Sequence, residues 1–195
     1  VVSIALVKAL NAISRRKNKM KISSHKITTM GFLIALSIIL TRIASLRIAI
    51  GGVEGIRIGL GGLPIILGGI IFGPLAGGII GAFSDLLGYF INPIGVYMPH
   101  FTLTSALTGI IPALVLKLSQ ENEPSVLGLG IAIAVGQIVT SIVLVPYFLH
   151  VLFGLPWTIL VAPRLIAEPI NIIIYTLTIS LILKRCYSIF SFYKV

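Results

Sequence analysis

Charge is the scarcest resource of this chain. Only 10% of its 195 residues are Asp, Glu, Lys or Arg, against roughly 25% in soluble domains. From Ile58 to Ser84 and again from Pro124 to Pro163 there is no charged residue, and each run is longer than the about 20 apolar residues that cross a bilayer. With 57% hydrophobic residues and a mean hydropathy of +1.11, a water-soluble globule is excluded and a polytopic membrane protein implied. Cysteine is almost absent: the single Cys186 excludes an intrachain disulfide and a multi-cysteine metal site. No Gly-x-x-x-x-Gly-Lys-Ser/Thr loop occurs, so the chain cannot couple ATP hydrolysis through a P-loop of its own. There is no His-Glu-x-x-His pair and no Gly-x-Ser-x-Gly elbow, and the three histidines, His25, His100 and His150, are dispersed. No polar stretch is long enough for a second domain, which leaves one membrane domain over residues 20–195. Residues 1–19 read as an N-terminal extension ahead of a natural start at Met20, either a cytoplasmic interfacial helix or a segment not native to the protein.

The apolar stretches predict six spans: about Lys26 to Ser45, Leu60 to Phe72, Leu75 to Ile91, His100 to Leu118, Val126 to Leu149, and from Trp157 to Leu183. The fold class is therefore all-α, a compact bundle of six transmembrane helices with a long outside loop between the first and second. The net charge of +10 is not a nucleic-acid signature, because the basic residues crowd at the two ends, from Lys8 to Lys26 and from Lys184 to Lys194. That asymmetry places both termini in the cytoplasm of a multi-pass cell-membrane protein, which an even number of spans satisfies. Only the first outside loop, with Arg42, Arg47 and Arg57, breaks the positive-inside bias. Its segment Arg47 to Arg57 alternates apolar residues with glycines and reads as a short strand or reentrant loop. Gly73-Pro74 predicts a tight inside turn between spans two and three. Gly77, Gly81 and Asp85, spaced by four, put close packing and an acid on one helix face. Gly128, Ala132 and Gly136 form another such face, and Pro146 predicts a kink.

Because charges within apolar spans are expensive, the few present mark candidate functional positions. Arg164 and Glu168 share a helix face and either pair with each other or serve a ligand. With Asn171 one turn on, that face is polar over about 10 Å, and supplies a planar donor fork together with amide donors and acceptors. Asp85 either pairs with a neighbouring arginine or accepts hydrogen bonds from a ligand's amino groups. Tyr97, His100, Phe101 and Trp157 either sit at the membrane interface or flank a flat heterocycle. Thr102 belongs to the hydroxyl-rich start of span four. Gly31 and Ala35 on span one serve either bundle packing or the docking of another membrane subunit.

Two stretches carry a resemblance: Leu67-Gly-Gly-Ile-Ile-Phe-Gly-Pro-Leu-Ala-Gly-Gly-Ile-Ile-Gly-Ala-Phe-Ser-Asp-Leu-Leu-Gly-Tyr89 and Gly95-Val-Tyr-Met-Pro-His-Phe-Thr-Leu-Thr-Ser-Ala-Leu-Thr-Gly109. Together they resemble the substrate-binding S components of energy-coupling-factor vitamin transporters, and within them the folate-specific branch. The resemblance spans about Met20 to Arg185. It implies six helices with cytoplasmic termini, a pocket open to the outside for folate or a reduced folate, no cofactor and no enzymatic activity. It further implies assembly with a transmembrane T component and two ATP-binding-cassette ATPases. Gly31 and Ala35 fall at the family's Ala-x-x-x-Ala docking motif, with glycine in the first place. The loop from Arg47 to Arg57 matches the family's lid, and Asp85, Tyr97, His100, Phe101 and Arg164 fall at pocket positions. His100 stands where the motif Tyr-x-Pro-Gly-Phe-Thr-Leu would have glycine. The expected mechanism stacks the pterin on aromatic or apolar rings and bonds its amino-pyrimidine edge to Asp85 or Glu168. The arginines, Arg47 and Arg57 among them, meet the glutamate tail. The alternatives are an S component for another vitamin such as pantothenate, and a membrane-embedded enzyme using Asp85 and Glu168 as an acid pair.

Overall fold

The computed structural model describes residues 24–42, 46–50, 53–93, 97–119 and 125–185, with the backbone alone for 46–50 and 53–58. The expected extension over residues 1–19 lies outside the described residues, as does Cys186. The described residues form six helices and one hairpin: α1 (Ser24–Arg42), β1 (Leu46–Ile50), β2 (Val53–Ile58), α2 (Gly62–Phe72), α3 (Pro74–Ile91), α4 (Pro99–Ser119), α5 (Val126–Phe153) and α6 (Trp157–Arg185).

Five of the helices are long and apolar enough to cross a membrane. The sixth, α2, has 11 residues and at 1.5 Å per residue reaches about 16 Å, half a hydrocarbon core. It is also the most enclosed element, with every residue from Leu63 to Gly69 buried. A helix this short has no lipid boundary to reach because its neighbours surround it. Its end is set by Gly73, whose φ of 94° belongs to the left-handed side that glycine tolerates. Pro74 follows at the first position of α3, where its missing N–H costs nothing. The tight turn is thus formed as the Gly-Pro pair predicts. Lys26 of α1 donates to the Phe72 carbonyl at 3.3 Å, giving one of the last acceptors of α2 a partner.

Glycines determine how closely α2, α3 and α4 approach. A Cβ at Gly77 would stand 2.7 Å from the carbonyl oxygen of Gly109, one at Gly81 2.1 Å from that of Ser105, and one at Gly69 2.3 Å from that of Gly109. No side chain fits at those crossings, and backbones in van der Waals contact supply the association that lipid-solvated helices need. The face carrying Gly128, Ala132 and Gly136 behaves alike: Ala132 is fully buried, and a Cβ at Gly136 would lie 2.7 Å from Pro112 of α4.

The loop after α1 takes the strand alternative: β1 and β2 pair antiparallel with Arg47 opposite Arg57, and a bulge follows Ile48. Strand β2 runs beside α6. Just before Pro146, where a kink is expected, α5 holds a seven-residue π-helical segment, Ile138–Leu144. The bundle is apolar on the outside, where Phe32, Leu75, Phe90 and Leu118 are each more than 60% exposed, as suits a lipid solvent. Its apolar core joins Leu33, Leu63, Ile66, Ile80, Leu129, Ile133 and Ile179. Ile80, Leu129 and Ile133 come from the first halves of α3 and α5 and Ile179 from the second half of α6, the halves nearer Gly73, so much of the core sits toward that end of the molecule.

Candidate functional site

Antiparallel packing brings the C-terminal halves of α1, α3 and α5 and the N-terminal halves of α4 and α6 to the other end, beside the hairpin. A cavity of about 420 Å³ lies there, within the 300–1,000 Å³ usual for small-molecule sites.

One wall is built by α3 and α4. The Thr102 hydroxyl donates to Asp85 Oδ2 at 2.7 Å, and the Tyr97 hydroxyl lies 3.0 Å from Thr102 Oγ1. Tyr89 leans on Tyr97 with ring centroids 5.3 Å apart. Arg42, at the end of α1, reaches the same cavity across Gly88, where a Cβ would sit 3.5 Å from its guanidinium.

The facing wall joins α5 and α6 through one residue. Ser141 donates its hydroxyl to Glu168 Oε1, and its carbonyl accepts from Arg164 Nη1 at 3.5 Å. The i, i+4 spacing of Arg164 and Glu168 does put them on one face, and both are held by α5. Glu168 and Asn171 are buried and line the cavity, together with Gln137 and Thr140. The Ser84 hydroxyl is buried at the cavity with no hydrogen-bond partner among the described residues. A buried hydroxyl left so is satisfied by water or by a ligand.

The hairpin is tied to this end at its base. Ser37 of α1 donates to the Gly61 carbonyl at 2.8 Å, and Tyr175 of α6 donates to that of Gly59. All four residues line the cavity.

Of the residues singled out from sequence, Asp85, Tyr97, Phe101, Arg164, Glu168 and Asn171 converge on the cavity, and Thr102 stands behind Asp85 as its donor. His100 and Trp157 are placed outside the lining. His100 is exposed and its ring lies 4.8 Å from that of Phe148; Trp157 packs on His150 with centroids 5.1 Å apart. Successive helical residues point about 100° apart, so Phe101 faces inward and His100 turns away. The side chains of Arg47 and Arg57 lie outside the described residues. Gly31 and Ala35 are on an exposed face of α1, and among the described residues a Cβ at Gly31 would meet nothing within 4 Å. Sequence reasoning omitted Gln137, Thr140 and Ser141, and did not carry Arg42 into the site. Their signal was present, since Gln137 and the Thr140-Ser141 pair interrupt an otherwise apolar run one turn apart.

A lipid-facing shell around a chamber of ionic, amide, hydroxyl and aromatic groups defines an integral membrane protein that holds a polar solute. The family model described as the ECF-type riboflavin transporter, S component, matches residues 21–188, and the chain belongs to that family of transporter subunits. The folate transporter FolT of Clostridium novyi (strain NT) is 33% identical over 150 residues, 77% of this chain and 83% of that protein. The crystal structure of FolT bound with folic acid superposes with a TM-score of 0.65 at 27% identity, covering 78% of this chain and 88% of that one. The S component of a bacterial ECF transporter shares the fold, with a TM-score of 0.63 at 23% identity over 85% and 96% of the two chains.

Proposed function

We propose that this chain is the folate-binding S component of an ATP-driven vitamin importer. The observation that carries this reading is one shared cavity with Asp85 on one side and Arg164, Glu168 and Asn171 on the other, in a chain similar to FolT. Folate is flat and hydrogen-bonding at one end and anionic at the other. A carboxylate that accepts two parallel N–H donors suits the amino-pyrimidine edge, and Asp85 is buttressed for that role by Thr102. The rings of Tyr89, Tyr97 and Phe101 offer flanking surfaces for the pteridine. The glutamate tail is met by arginine, with Arg47 and Arg57 of the hairpin supplying attraction from outside and Arg42 and Arg164 within. The hairpin end faces outward and both termini are cytoplasmic, in keeping with the basic residues at the chain ends.

Lacking a P-loop, the chain depends on partners for energy: a transmembrane T component and two ATP-binding-cassette ATPases. Gly31 and Ala35 on the exposed face of α1 are the proposed docking surface.

Titration calorimetry of the detergent-purified chain with folate, riboflavin and pantothenate tests the reading. Saturable heat with folate and none with the other two is expected. Tight binding of riboflavin or pantothenate with no response to folate overturns it and assigns the cavity to another vitamin.

A further inference from the structure

One buried proline stands just outside the cavity, behind the wall that carries Arg164 and Glu168. Pro146 is fully buried and does not line the cavity, although its neighbours Ser141 and Val145 do. In an α-helix the carbonyl of Ser141 would accept from the amide of Val145, four residues on. Here Val145 N–H donates to the Thr140 carbonyl instead, the five-residue step of a π-helix. The next amide in that register, the one that would reach Ser141, belongs to residue 146, and proline has no N–H. The Ser141 carbonyl therefore lacks both regular helical donors, and the donor it receives is Arg164 Nη1 at 3.5 Å. A carbonyl released inside a membrane-spanning helix needs another partner. An arginine within a span needs acceptors just as much.

We infer that Pro146 is a positioning residue for the solute site: by withholding its amide it leaves the Ser141 carbonyl to orient Arg164, while the Ser141 hydroxyl holds Glu168. One residue of α5 then sets the spacing of the two ionic groups that α6 presents to the cavity. The solute itself never touches Pro146. Pro146→Ala introduces an amide that bonds to the carbonyl of Ser141 in the π register or of Ile142 in the α register. Either takes the Ser141 carbonyl away from Arg164 or moves it.

The inference rests on the folate reading only for its affinity measurement, so a ligand-free measurement accompanies it. The full chain is purified as wild type, Pro146→Ala, Arg164→Gln and the double variant, and melted without ligand. If Pro146 acts through Arg164, the double variant melts no lower than the less stable single variant; additive decrements overturn the inference. Folate titration of the same four proteins should show a loss of at least tenfold for Pro146→Ala in the native background and under twofold on top of Arg164→Gln. Equal losses in both backgrounds overturn it. Wild-type protein that ignores folate removes the vitamin assignment, and the ligand-free melts still judge Pro146. The absent donor is separated from the ring by placing lactate, which carries an ester oxygen in place of N–H, at position 146 by nonsense suppression. Near-wild-type melting is expected. A lactate-substituted chain that misfolds or melts as low as Pro146→Ala overturns the inference, since the ring rather than the missing donor would then matter.

Discussion

Asp85 and Thr102 show how little at the residue scale separates a structural acid from a binding one. Thr102 uses its hydroxyl to hold one carboxylate oxygen, which aims the group without neutralising it. Removing that bond by Thr102→Val should cost about 0.6 kcal/mol, typical of a hydrogen bond within a membrane protein. Folate affinity should then fall roughly threefold if the bond mainly orients Asp85. Asp85→Asn keeps the shape but turns one acceptor oxygen into a donor, and should weaken folate at least tenfold, about 1.4 kcal/mol or more. Calorimetry on the two variants ranks them, and equal affinities for Asp85→Asn and wild type would remove Asp85 from the site. The acid, the arginine and the glutamate were all legible in the sequence because a charge inside an apolar span stands out against its background. Thr102 was visible only as part of a hydroxyl-rich segment. Its partnership with Asp85, 17 residues away in sequence, depends on two helices meeting at one height.

Helices α3 and α4 cross at element scale with no room for a side chain, whereas α1 carries Gly31 and Ala35 on an exposed face, where a Cβ at Gly31 would meet nothing within 4 Å among the described residues. The two patterns look alike in sequence and separate in space. Gly81→Ala places a methyl group 2.1 Å from the Ser105 carbonyl, so the helices must separate; a loss of about 1–3 kcal/mol, the usual penalty of overpacking, should appear as a lower melting temperature. Gly31→Trp meets open space and should leave the melting temperature and folate affinity of the isolated chain unchanged. The same substitution should abolish co-purification with the T component and ATPases; intact assembly would remove α1 as the docking face. Between these lies the hairpin, anchored through Tyr175 to Gly59. Tyr175→Phe removes that anchor and should speed folate dissociation in stopped-flow fluorescence several-fold.

At the scale of the whole molecule the bundle is polarised along its axis, with much of the apolar core toward the Gly73 end and the ionic chamber beside the hairpin. A ligand confined to the chamber ties six elements together, so folate at 100 times its dissociation constant should stabilise the purified chain by about 2.7 kcal/mol, read as a raised melting temperature. Orientation is tested by the one cysteine of the chain. Cys186 should react with a membrane-impermeant maleimide in inside-out vesicles and remain unlabelled in intact cells; labelling from outside would invert the topology.

Composition and spacing were enough for the number of helices, their approximate ends, the Gly73-Pro74 turn and the glycine-lined crossing of α3. Each follows from local rules: apolar length against bilayer thickness, missing backbone donors, and the four-residue return of a helix face. Spacing also put Arg164, Glu168 and Asn171 on one face. Nothing local could say that Gln137, Thr140 and Ser141 on α5 join that face in one wall, that Arg42 reaches across Gly88, or that His100 turns away while Phe101 turns in. Those outcomes depend on the rotation and height at which each helix settles against its neighbours, and that is decided jointly by all the glycine contacts and prolines of the bundle. The π segment ahead of Pro146 is the clearest case: the proline announces a break in α5, but which carbonyl it releases, and that an arginine of α6 receives it, exists only once the two helices are packed.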